Sequence, residues 1–61
     1  MTYSELEKIL KKNGCRVLRE GRSHSIWISD TTGETFTVPR HKTQEVPKGT
    51  LQSIKKAAGL A

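Results

Sequence analysis

Residues 24–38 read HSIWISDTTGETFTV, two alternating runs on either side of a turn. The first six residues alternate. His24, Ile26 and Ile28 fall on one face of an extended strand, and Ser25, Trp27 and Ser29 fall on the other. Asp30-Thr31-Thr32-Gly33 is a hairpin turn, with Gly33 supplying a positive φ. Glu34 to Val38 is a further strand, in which Phe36 and Val38 share a face opposite Thr35 and Thr37. Two alternating runs joined by such a turn predict an antiparallel hairpin.

On the N-terminal side, Cys15 to Glu20 is rich in β-formers, with Val17 and Leu18 at its centre, and Gly21 and Arg22 form the turn that leads to His24. The N-terminal segment reads as a helix. Ser4 and Glu7 fit a capping box, with Ser4 as N-cap. Tyr3, Leu6, Ile9 and Leu10 form an apolar stripe that Lys8, Lys11 and Lys12 largely avoid, and Asn13-Gly14 ends the helix. On the other side, Pro39 stops the last strand and Arg40 to Val46 is a polar loop. Pro47 to Gly49 starts a second helix, with Pro47 in its first turn. Leu51, Ile54 and Ala58 line one side of that helix, Lys48, Lys55 and Lys56 occupy others, and Gly59 ends it.

The expected architecture is α+β, in the order helix, three antiparallel strands, helix. Both helices need an apolar surface, and one face of the sheet can supply it for both. The 61 residues leave room for one domain, residues 1–61. A chain of this size buries only about 60% of the surface exposed in its unfolded form, so a stability of roughly 3–5 kcal/mol is expected. A large enclosed active-site cavity does not fit in so short a chain. Any chemistry belongs on an open face, acting on a polymer or on another protein's surface.

Eleven Lys and Arg against six Asp and Glu give a net charge of +5. Such a balance suits phosphate polymers, acidic proteins or anionic membranes, or simply a well-hydrated surface. Cys15 is the one cysteine, so no internal disulfide is possible and no zinc spacing exists. A lone thiol suits a reducing cytoplasm. Neither a secretion signal nor a membrane-spanning run is legible, and a cytoplasmic location is expected. Cys15 reads as a small buried residue.

His24 stands at the mouth of a strand, just after a turn, where a side chain is both rigid and exposed. Its alternation with Ile26 and Ile28 leaves a second reading, in which it turns inward and packs. Trp27 has three readings: half-buried packing, a stacking platform for a base, or a partner contact. Ser23 next to His24 carries no serine-hydrolase signature, and neighbouring strand residues face opposite ways.

The layout is that of double-stranded RNA-binding domains. Within it, Gly21-Arg22-Ser23-His24-Ser25-Ile26-Trp27 resembles the Gly-x-x-His-x-x-aromatic strand of HicA toxins. The resemblance continues through Gly33, through Val38-Pro39-Arg40-His41, and through Gly49-Thr50-Leu51-Gln52-Ser53-Ile54 and Ala58-Gly59-Leu60. It covers nearly the whole chain in the right order. The resemblance implies the toxin of a type II toxin–antitoxin pair, an mRNA-cutting endoribonuclease that needs no metal or other cofactor. It implies mRNA as substrate and a HicB-type antitoxin as partner in a hetero-oligomer, with no membrane involved. It also implies that His24 is catalytic.

Metal-free RNA cleavage needs a base for the 2′-hydroxyl proton, a cation for the charge developing on the phosphate, and an acid for the departing 5′-oxygen. Histidine suits the proton steps, and Arg and Lys suit the charge. Arg22 flanks His24 and is the first candidate for a phosphate contact, with Ser23 beside it. Arg40, Lys42 and Lys48 are candidates for one basic patch. Gly49-Thr50 opens the second helix, whose free N–H groups can hold a phosphate, which adds Thr50 to the RNA-binding set. His41 is the complementary acid, an RNA contact or a solvated residue. Two other readings remain open at this point, a non-catalytic RNA-binding module on the same fold and a subunit that docks an acidic partner.

Overall fold

A computed structural model describes residues 1–60. The elements are α1 (Tyr3–Lys12), β1 (Cys15–Glu20), β2 (His24–Ser29), β3 (Thr35–Pro39) and α2 (Lys48–Ala58). The three strands form one antiparallel sheet in the order β1-β2-β3. The architecture is therefore α-β-β-β-α with both helices against the sheet, as the alternation and the helical stripes imply.

The alternation in β2 decides which sheet face carries the core. Ser25, Trp27 and Ser29 are buried, whereas His24 is exposed and Ile26 and Ile28 are half-buried. The core gathers Tyr3, Leu6 and Leu10 from α1, Ile54 and Ala58 from α2, and Cys15, Trp27 and Val38 from the sheet. Cys15 is a buried free thiol, in line with its sequence reading. Trp27 is only 1% exposed, deeper than the half-buried position expected. It belongs to the core cluster that also holds residues of both helices, so neither base stacking nor a partner contact is open to it.

Cross-strand register then fixes the opposite face. Arg16 opposes Ile28, Arg19 opposes Ile26, and Ile26 and Ile28 oppose Thr37 and Thr35 of β3. His24 opposes Pro39. No helix covers this side. β1 contains one irregularity, a register shift between Val17 and Arg19.

Several boundaries differ from the sequence reading. The capping box is Thr2 with Glu5, not Ser4 with Glu7: the Thr2 hydroxyl accepts from the Glu5 N–H at 3.3 Å, and the Glu5 carboxylate accepts from the Thr2 N–H at 2.9 Å. Both pairs have the same spacing. The earlier one prevails because it makes Tyr3 helical and buries it with Leu6 and Leu10. The Ser4 N–H is then free to donate to the Lys42 carbonyl, and the Tyr3 N–H donates to the Gln44 carbonyl, both at 3.0 Å. The 40–46 loop thus completes the first turn of α1.

Pro47 is the N-cap of α2 rather than a residue of its first turn. β3 begins at Thr35, because Glu34 belongs to the turn, where its carbonyl accepts from the Ser29 N–H at 3.0 Å. Pro39 is the last residue of β3, tolerated because β3 is an edge strand. The C-terminal end of α2 is tied to the β2–β3 turn: Ser29 Oγ donates to the Ala58 carbonyl at 3.0 Å and Thr32 Oγ1 to the Ala57 carbonyl at 2.7 Å.

Candidate nucleic-acid interface

The turn between β1 and β2 is three residues long, Gly21 to Ser23. It is closed by the Gly21 N–H donating to the His24 carbonyl at 2.7 Å. A Cβ on Gly21 would lie 2.9 Å from that same carbonyl oxygen, so the turn closes this tightly only around glycine. The consequence is that His24 starts β2 in a fixed position with its ring on the open face.

Ser23 lies in the turn rather than in the strand, so strand alternation does not apply to it. Its hydroxyl sits 3.0 Å from His24 Nδ1. The sequence reading set these two side chains apart, and the structure brings them together. Ser23 holds one nitrogen of the imidazole and leaves Nε2 for a ligand. An inward-turned His24 is excluded by its exposure.

His24, Arg22 and Ser23 line an open depression of about 440 Å³ together with Arg19, Gly21, Ile26 and Thr37. That lies within the usual range of small-ligand sites, about 300–1,000 Å³, yet the depression is open to solvent. Of the expected binding residues, Arg22 and Ser23 are therefore with His24. Arg40 is nearby by a different route: its guanidinium donates to the Gly21 carbonyl at 2.9 Å and its backbone N–H to the Ser23 carbonyl at 3.0 Å. It braces the turn that carries His24.

The remaining candidates lie elsewhere. His41 and Lys42 are exposed in the loop that docks on α1, and neither lines the His24 depression. Lys48 and Thr50 are in the first turn of α2. Thr50 lines a second groove between α2 and β3, with Gly49, Ser53 and Ala57 on one wall and Thr35, Phe36 and Thr37 on the other. Thr37 lines both hollows, so the two meet across β3.

Arg19 was not singled out by its sequence position, because simple alternation from Cys15 sends it to the opposite side of the sheet. The register shift after Val17 reverses that. No signal in the sequence marks the shift.

Among the described residues, no three His, Cys, Asp or Glu side chains stand together as a metal site. No helix among them is long and apolar enough to cross a membrane.

An exposed imidazole between arginines, on the uncovered face of an α-β-β-β-α sheet, defines a small basic protein whose site is open to a large partner or polymer. A family model described as HicA toxin of bacterial toxin-antitoxin matches residues 3–60, and the chain belongs to that family. It is thus the toxin of a toxin–antitoxin pair, and the class implies an antitoxin partner. No curated protein and no solved structure matches the chain.

Proposed function

We propose that this toxin is an endoribonuclease that cuts mRNA without a metal, with His24 moving the protons, and that a HicB-type antitoxin neutralises it. The observation that carries the reading is the placement of His24: exposed on the open sheet face, held at Nδ1 by Ser23, and flanked by Arg22 in one depression. Family membership over residues 3–60 supports it independently.

In this reading an RNA strand crosses the open face with one phosphodiester in the depression. Neutral His24 takes the 2′-hydroxyl proton through Nε2 while the 2′-oxygen attacks phosphorus. Arg22 and the bracing Arg40 offset the charge that builds on the phosphate oxygens. The P–O5′ bond breaks, and the 5′-oxygen takes its proton from the imidazolium or from water. A 2′,3′-cyclic phosphate and a 5′-hydroxyl are the products. Ser23 orients His24 beside the phosphate, and His41, Lys42, Lys48 and Thr50 contact the strand further along its path. The chain acts in the cytoplasm, where mRNA is found.

The test is incubation of the purified protein with a long mRNA in EDTA, beside His24→Ala of matched fold. Fragments ending in cyclic phosphate from the wild type alone are expected. Intact RNA that still binds the protein would replace this reading with a non-catalytic RNA-binding module.

A further inference from the structure

We propose that Arg19 is a phosphate-binding residue of the His24 depression, aimed into it by the bulge at Leu18; this deepens the RNA reading above and rests on it. Val17 opposes Trp27, and Arg19, two residues on, opposes Ile26, the next residue back along β2. Leu18 is thus an extra residue with no partner across the strand, which is the pattern of a β-bulge. Directly opposed residues of an antiparallel pair share a face. Arg19 therefore stands with Ile26 and Thr37 on the open face, one row from His24 and Pro39.

The bulge gains no apolar burial, since it leaves Leu18 47% exposed, and it keeps the charge of Arg19 off the core face. What it achieves is to bring a guanidinium to the wall of the depression that also holds Arg22 and His24. Bulges commonly re-aim one side chain in this way beside a site.

The arginines differ in what occupies them. Arg16, on the same strand and face, reaches Asp30 at 3.5 Å. Arg40 donates to the Gly21 carbonyl. Arg19 makes no side-chain hydrogen bond or ion pair among the described residues, and it is exposed. Its planar donor fork matches a phosphodiester. A backbone phosphate of a single RNA strand is the ligand this arrangement fits.

The test uses the full chain and a short 2′-O-methyl oligoribonucleotide, which the proposed cleavage cannot cut because its 2′-oxygen carries no proton. Binding is followed by fluorescence anisotropy over a salt series for the wild type, Arg19→Ala, Arg19→Gln and Arg16→Ala, with circular dichroism as the check on folding. Loss of Arg19 by either substitution is expected to weaken binding about tenfold at low salt and to lower the salt slope by about 0.7, the value for one phosphate contact on a single strand. Arg16→Ala is expected to change little. Two substitutions at Arg19 keep the test in place if one of them folds poorly.

Wild-type affinity and slope in the Arg19 variants overturn the assignment and leave the role of His24 standing. A wild-type protein that binds no oligonucleotide overturns both. Arg19-dependent binding by a protein that cuts no RNA supports the assignment and overturns the ribonuclease reading alone.

Discussion

The hydroxyl of Ser23 and Nδ1 of His24 are 3.0 Å apart, although the two residues are adjacent in sequence. The bond exists because Ser23 belongs to a turn while His24 opens a strand. It holds the imidazole plane in one orientation and keeps Nε2 free. His24→Ala is expected to lower RNA cleavage by at least about 100-fold, the low end for loss of an acid–base group. Ser23→Ala removes only the orienting bond, a contribution of about 1 kcal/mol, and should slow cleavage about fivefold. Single-turnover cleavage with excess enzyme reads both. An unaffected His24→Ala would end the role given to this residue.

The three-residue turn makes Gly21 a position where even one methyl group is too many. Gly21→Ala would place Cβ 2.9 Å from the His24 carbonyl oxygen. The turn must open, the bond between the Gly21 N–H and that carbonyl lengthens, and His24 shifts with it. A loss of about 1–3 kcal/mol of stability is expected, together with a fall in cleavage larger than that of Ser23→Ala. Thermal melting and the cleavage assay at a temperature where both proteins are folded would separate the two effects. Equal melting temperatures would show that the turn is looser than described.

Leu10 is fully buried between α1 and the sheet. Leu10→Ala should cost about 2–5 kcal/mol. That is comparable to the whole stability of a domain this small, roughly 3–5 kcal/mol. The variant is therefore expected to be largely unfolded at 37 °C by circular dichroism. A cooperative melt close to the wild-type temperature would contradict the core described here.

The Glu5 carboxylate accepts from the Thr2 N–H and hydroxyl, and these bonds lower its pKa below the ordinary 4.5. A carboxylate with a lowered folded-state pKa stabilises the fold above its unfolded pKa, and the gain is lost as pH falls through the folded value. Glu5→Gln keeps the shape of the cap and removes the charge. The stability gap between wild type and Glu5→Gln should be present at neutral pH, begin to close as pH falls below the ordinary 4.5, and be gone below the lowered folded-state value. Urea midpoints at several pH values test this, and a gap that widens in acid would reverse the sign argued here.

The β2–β3 hairpin was legible because its alternation, its turn residues and its pleat all agree. α2 was legible from its stripe and from Gly59, whose φ of +80° marks the helix end. The start of α1 was less so. Thr2–Glu5 and Ser4–Glu7 satisfy the same spacing, and the choice between them is made by the burial of Tyr3 and by carbonyls from a distant loop. The depth of Trp27 could not be read from alternation, which names a face but not what covers it. Within the site, His24 and Arg22 were visible through a local motif. The Ser23–His24 contact and the direction of Arg19 were not, because each depends on where a strand stops being regular.

Each strand of the sheet pairs with its neighbour in sequence, so the three strands can assemble through short loops, which favours rapid folding. α1 follows a different schedule. The amide groups of Tyr3 and Ser4 find their acceptors at Gln44 and Lys42, and Thr2 bridges to Glu45. Although α1 precedes the sheet in the chain, its first turn is completed only by residues that follow the sheet. The sheet is complete at Pro39, but without residues 42–45 the first turn of α1 lacks the acceptors for these amides. The fold closes only when the loop beyond β3 reaches back to the first turn of α1.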